Sequence, residues 1–383
     1  MFAQNQNLTA AAIRPHAIPA LTGLRLIGAL WVVVFHFQPT LYLAWPQLRF
    51  FQPLFERGDF GVPLFFVLSG FIIWHNYGTA ALLNSRATAR FLWRRFARLW
   101  PVNLASALLV IPVVWWGVVI QNNFGAPKPE WFTKIGWIKS AFMVEQISQP
   151  DLVFAWNQPS WSLTPEMVAY VAFPALLLLL LATGVVRSRH GWVWAILAFV
   201  IAYLVENKQW LFPHRWMVEL FLMFTAGVLL RVAAGARHRL PKLAAVVQVA
   251  APAAIVAACY SGFGAIIVVL LGAWVWSLSA PTGPGIWFFT LRGMQIGGQA
   301  SYSLYMLHWV LFGYGYILMH EIPAIERTFL KPMVVAMLAL VALASWACWR
   351  WYETPARKLM NEAFERVWRG AAPLSAAVSD EKR

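Results

Sequence analysis

The chain is short of charge. Only 12% of its 383 residues are Asp, Glu, Lys or Arg, against about 25% in a soluble globular protein. Acidic residues are scarcest, 15 against 30 basic ones. Cysteine is nearly absent. Cys259 and Cys348 both sit inside apolar runs, which excludes a disulfide framework and a thiolate metal site. Both read as packing residues. Residues 1–20 carry no apolar core of their own, so no cleavable leader is expected. Short alternating apolar segments are missing too, which excludes an outer-membrane barrel.

What fills the chain is apolar. Sixty per cent of residues are hydrophobic and 23 are Trp, a composition suited to a bilayer with aromatic anchors at both interfaces. Ten runs approach spanning length: 20–39, 58–77, 101–120, 163–184, 191–206, 216–233, 243–261, 263–280, 297–320 and 331–352. The expected fold is an all-α, polytopic transmembrane helix bundle of about ten helices. With the N-terminus inside, 20 of the 30 Lys and Arg fall in inner segments and 9 in outer loops. That bias places both termini in the cytoplasm. The net charge of +15 therefore reads as topology and not as a nucleic-acid footprint.

The first run, Leu21 to Phe37, carries Arg25 and His36. Eleven residues apart, they fall within about 20° of one helix face and roughly 16 Å apart along the axis. Ionisable residues in an apolar helix are costly and point to function. The alternatives are a headgroup-level Arg and a bonded core His. On this topology Arg25 lies near the inner face and His36 near the outer face. Residues 121–162 form a long outer connection that ends in WNQPSWSLTPEM. Thr164-Pro165-Glu166 reads as a capped helix start. Glu166 then shares the depth of His36 and could orient its imidazole. Capping alone also accounts for Glu166.

On the inner side, Arg94, Arg95 and Arg98 cluster before Leu99-Trp100-Pro101. They read either as topogenic charge or as an anion site. Gly58, Gly61, Ser69 and Gly70 are small enough for helices to approach closely. His75 reads as an interfacial side chain. Tyr302, Tyr305 and His308 recur every three residues on one face; His308 is either a bonded core residue or a substrate contact. Glu353, among Arg350, Arg357 and Lys358, reads as part of a solvated ion-pair cluster.

Taken together these elements resemble the acyltransferase-3 family of integral membrane acyltransferases. The resemblance rests on Arg25 with His36, Gly61 to Phe71, Arg95 with Arg98, Trp161-Ser162-Leu163 with Glu166, Ser301 to His308, and Tyr352-Glu353 with Pro355. Pro63 stands where the family often has an acidic residue. The resemblance implies a transmembrane acyltransferase domain over 1–360 and a short polar cytoplasmic tail over 361–383. It implies transfer of an acyl group, acetyl above all, from cytoplasmic acyl-CoA to a hydroxyl of a cell-surface or exported carbohydrate, free or lipid-linked. Acyl-CoA is a donor substrate; no permanently bound cofactor, metal or nucleic acid is implied. Arg25, Arg95 and Arg98 would hold the donor's phosphates. His36 and Glu166 would be catalytic, and Trp161, Tyr305 and His308 would meet the acceptor. The implied location is the bacterial inner membrane, beside other glycan-assembly proteins. The rival readings are a transporter of a saccharide or lipid-linked intermediate, and a scaffold subunit. Transporters usually show internal repeats and paired broken helices, and this sequence shows neither.

Overall fold

The computed structural model describes residues 17–117, 132–148, 156–187, 191–206, 214–235, 240–322 and 328–370. Its main helices are α1 (Pro19–Ala44), α2 (Gly61–Tyr77), α3 (Ser85–Trp115), α4 (Lys134–Ala141), α5 (Glu145–Ser148), α6 (Leu163–Ala182) and α7 (Gly191–Glu206). They continue with α8 (Arg215–Ala234), α9 (Pro241–Ser261), α10 (Gly264–Ser277), α11 (Pro284–Thr290), α12 (Arg292–Glu321), α13 (Leu330–Cys348) and α14 (Thr354–Gly370). Short turns of helix occupy several of the described connections, and no strand forms among the described residues. Among the described residues, seven helices are long and apolar enough to cross a membrane, and two more apolar helices, Gly191–Val205 and Gly264–Ser277, are shorter. The 30-residue α12 covers the remaining expected run. The protein is all-α and polytopic, as its hydropathy predicts.

The chain divides into two compact units, Met1–Leu82 with Ala172–Ser301, and Leu83–Val171 with Tyr302–Arg383. In the first unit, α2 and α8 cross backbone to backbone. A Cβ added at Gly70 would strike the Phe224 carbonyl, and one at Gly227 the Val67 carbonyl. Gly58 and Gly61 allow the same closeness to α1, at the Trp31 and Gly28 carbonyls. The small residues of the second run thus do what their size predicts: they trade side chains for backbone van der Waals contact. Gly70→Val or Gly227→Val must push two backbones apart, and overpacking costs about 1–3 kcal/mol or more. Either variant should lower the unfolding temperature of detergent-purified protein. Gly293→Ala, with nothing within 4 Å of its added Cβ, should leave it unchanged. Equal melting of all three proteins would show that the crossing is not tight. At the end of α2, His75 Nδ1 accepts from Arg231 Nε on α8 at 3.1 Å.

In the second unit, α3 starts sixteen residues before the apolar run that predicts it. Asn84 caps it, its side chain accepting from Arg86 N at 3.0 Å. Arg and Ala are strong helix formers, so the basic stretch is helical rather than loop. Pro101 and Pro112 lie within α3. The final helix, α14, is tied to the start of α3. Arg90 Nε lies 2.8 Å from Glu365 Oε1, Trp93 donates to the Met360 carbonyl at 3.2 Å, and the Trp93 and Phe364 rings stack. The helix runs continuously past residue 360, and residues 371–383 lie outside the described residues. Cys259 and Cys348 are both free thiols.

Candidate active site

The first unit holds Arg25 and His36. Both lie on α1, which is helical without interruption from Pro19 to Ala44, so the spacing expected of them applies. Both are partly buried. His36 Nδ1 lies 3.1 Å from the Val32 carbonyl one turn back. A carbonyl can only accept, so Nδ1 carries a proton, and in the neutral ring the lone pair falls on Nε2. The Phe35 ring packs edge-on against the imidazole at 5.0 Å. Three residues on, Pro39 has no N–H to donate to the Phe35 carbonyl. In its neutral form this His36 tautomer leaves Nε2 as the proton-accepting nitrogen, the arrangement that general-base chemistry uses.

The second unit holds Arg95, Arg98, Trp161, Glu166, Tyr305 and His308. Tyr170, one turn along α6, donates through its hydroxyl to Glu166 Oε1. The Arg95 guanidinium lies over the Tyr170 ring at 6.0 Å and over Phe91 at 5.9 Å. Arg95 and Glu166 thus share one tyrosine. They cannot lie at opposite faces of a hydrocarbon core ~30 Å thick. The sequence expectation of an inner Arg95 and an outer Glu166 is corrected here. The reason is the early start of α3, which carries Arg95 ten residues into a continuous helix.

Arg98 pairs with Glu353 and lies over the Tyr302 ring at 5.5 Å. Glu353 is 1% exposed and is bonded by Ser303 Oγ at 2.6 Å. The solvated ion-pair cluster expected around Glu353 does not form. A five-residue π-helical stretch, Trp349–Glu353, joins α13 to α14 and ends with the Glu353 carboxylate inside. Such insertions re-aim side chains and recur at functional sites. The available signal was the glutamate's place beside Trp351 and Tyr352, an apolar setting for a charge. The partner, Arg98, is more than 250 positions away, and local patterning does not reach it.

The tyrosines of α12 act as fasteners. Tyr302 donates to the Leu99 carbonyl at 2.6 Å, and the Tyr305 hydroxyl lies 2.8 Å from Ser162 Oγ and 3.2 Å from the Pro159 carbonyl. His308 is fully buried; its Nδ1 lies 2.6 Å from the Tyr305 carbonyl, between the Tyr305 and Phe312 rings. Trp161 is partly buried within a 3₁₀ turn, Gln158–Ser162, that runs straight into α6. Because α6 starts at Leu163, Thr164 lies inside its first turn. Its hydroxyl is buried without a hydrogen-bond partner among the described residues, so it is not the expected cap. No group of His, Cys, Asp or Glu suited to a metal forms among the described residues.

An all-α membrane protein with a histidine on its apolar first helix, and a buried carboxylate paired with an Arg further along the chain, has the make-up of a membrane-embedded group-transfer enzyme. The chain belongs to the acyltransferase-3 family: the family's acyltransferase domain matches residues 18–352. It is 26% identical over 388 residues to the acyltransferase MdmB of Streptomyces mycarofaciens, covering 90% of this chain and 92% of that protein. It is also 29% identical over 175 residues to the peptidoglycan O-acetyltransferase OatA of Listeria monocytogenes, covering 43% of this chain and 25% of OatA. No solved structure matches. The protein is a multi-pass membrane O-acyltransferase.

Proposed function

We propose that the protein transfers an acyl group, acetyl above all, from cytoplasmic acyl-CoA to a hydroxyl of a cell-surface or exported carbohydrate, from the bacterial inner membrane. The observation that carries this reading is the fixed His36 imidazole with its lone pair on Nε2, eleven residues beyond Arg25 on one helix. Family membership supplies the acyl chemistry. The O-acetyltransferase relative favours acetyl and a cell-wall carbohydrate.

In the proposed reaction His36 Nε2 takes the proton of the acceptor hydroxyl as its oxygen attacks the thioester carbonyl. The new C–O bond forms, the C–S bond breaks, and CoA leaves as a thiolate that regains the proton from the imidazolium. A variant of this route has Nε2 carry the acyl group transiently before the acceptor takes it. Glu166, held by Tyr170 beside Arg95, is the second catalytic group and moves a proton during transfer. Arg25, Arg95 and Arg98 bind the donor's phosphates. At Arg98 a phosphate meets the Glu353 carboxylate already in place, so the donor there joins or displaces an existing anion. The roughly 16 Å rise between Arg25 and His36 suits an extended pantetheine arm. Trp161, Tyr305 and His308 serve the acceptor side, Tyr305 and His308 by shaping it from within the core.

The test compares surface glycans of a strain lacking the gene with the same strain carrying it. An ester-linked acyl mass should vanish and return. If all strains give identical spectra while a saccharide intermediate accumulates inside the cells, export without chemistry is the better reading.

A further inference from the structure

The connection between α3 and α6 contains a buried carboxyl that the proposed chemistry does not use. Glu145 opens the short α5 and is 2% exposed. Around it lie Ser140, Asn157, Ser160, Asn103 and Ser106, each 0% exposed. Asn103 Nδ2 donates to the Ser140 carbonyl at 2.9 Å, and Asn157 Nδ2 donates to Ser106 Oγ at 2.7 Å.

Ser160 Oγ is the hub. It lies 2.6 Å from the Asn157 carbonyl, 2.8 Å from Ser140 Oγ and 2.8 Å from Glu145 Oε1. Each of these oxygen–oxygen contacts needs a proton between its atoms; without one, two lone pairs face each other. The carbonyl has none to offer, so the Ser160 proton lies on the shortest contact. Ser140 can fill the second. Ser160 then has its one donor spent and two lone pairs open, the full capacity of a hydroxyl. Three contacts share two hydroxyl protons. A protonated Glu145 would supply the third by donating to Ser160 Oγ.

We propose that Glu145 is a positioning residue held as the neutral acid, whose proton locks the Asn157–Ser162 turn and thereby sets Trp161 and Glu166 for acyl transfer. The turn is the lever. Ser162 Oγ meets the Tyr305 hydroxyl at 2.8 Å, and α6, with Glu166 in its first turn, begins at the next residue. The charged groups on neighbouring elements are Lys134 and Lys139 on α4 and Glu166 on α6, and Tyr305 is the titratable group on α12; Asn103 to Ser106 of α3 carry none. Burial also pushes the Glu145 carboxyl up to about 7, against the opposing pull of its Ser160 and Ser140 hydrogen bonds. A raised carboxyl favours the protonated fold, so its contribution to stability is full in acid and lost as pH rises to about 7.

The structural half of this inference stands alone; the effect on transfer rests on the acyltransferase reading above. The first measurement is infrared difference spectroscopy of the full-length protein in lipid nanodiscs, titrated across neutral pH. A buried carboxylic-acid band should disappear on the alkaline side and be absent from Glu145→Gln at every pH. In cells, Glu145→Gln keeps both a donor and an acceptor, so it should transfer normally in acid and hold its activity at the alkaline pH where wild type declines. Glu145→Ala, which leaves buried partners unbonded, should lose about tenfold or more. A spectrum unchanged by Glu145→Gln would overturn the proposal. So would a folded Glu145→Gln protein that is inactive while Glu145→Asp works, because the ionised form would then be the one required. If no strain shows surface esters, the acyl-transfer reading fails by itself and the infrared result still decides the protonation state.

Discussion

Replacing His36 with Ala is expected to lower acyl transfer by about 10²–10⁴-fold, the usual contribution of a positioned general base. The protein's abundance and unfolding temperature should change little, because His36 is only partly buried and its replacement leaves the backbone of the continuous α1 helix in place. His36→Gln is the sharper variant. A glutamine amide can bond Val32 yet cannot take a proton, so it should be as inactive as Ala. Its turnover separates the base from the mere hydrogen bond: near-normal transfer in His36→Gln would make His36 a structural residue and move the catalytic assignment elsewhere. A nucleophilic role predicts one result more. An acyl group should then be recoverable on wild-type His36 when acceptor is withheld, and on neither variant.

Removing the Glu353 carboxylate is expected to cost about 3–5 kcal/mol, the usual penalty for stranding one member of a buried ion pair. The carboxylate is 1% exposed, and its partners Arg98 and Ser303 lose their acceptor together. Glu353→Ala should therefore melt well below wild type in detergent. Glu353→Leu combined with Arg98→Met should recover much of that loss, since apolar replacement of both partners removes the stranded charge. The double variant also tests the donor site. If Arg98 binds acyl-CoA, the double protein should be stable but weak in donor binding, with KM for acyl-CoA raised. A double variant as unstable as the single one would show that the pair is not what holds this region. Full affinity for acyl-CoA in the double variant would remove Arg98 from the donor site and leave Arg25 and Arg95.

The motifs that carry the family resemblance are short and local, which is why they could be read directly. Their partners were another matter. Hydropathy puts Arg95 and Glu166 at opposite depths because the third apolar run begins at Pro101. The helix itself starts at Ser85, since Arg and Ala propagate a helix as well as Leu does. Apolar run length finds the lipid-facing part of a helix, not its ends. Thr164 fits the pattern of a cap, but the preceding residues are already wound as a 3₁₀ turn, so the helix has begun before it.

Hydropathy and helical period are properties of consecutive residues, and they suffice for the class: an all-α membrane protein. The sequence also shows that Arg25 and His36 share a face, because both lie on one helix, and that Gly61 and Gly70 serve close helix approach. Which polar groups meet follows from how the helices pack. Glu353 is met by Ser303, fifty residues away, and by Arg98; Glu145 is met by Ser160; Tyr305 is met by Ser162, 143 residues away. A buried polar group must find a partner or carry the full cost of desolvation. Which partner it finds depends on where distant helices pack, and no local periodicity encodes that.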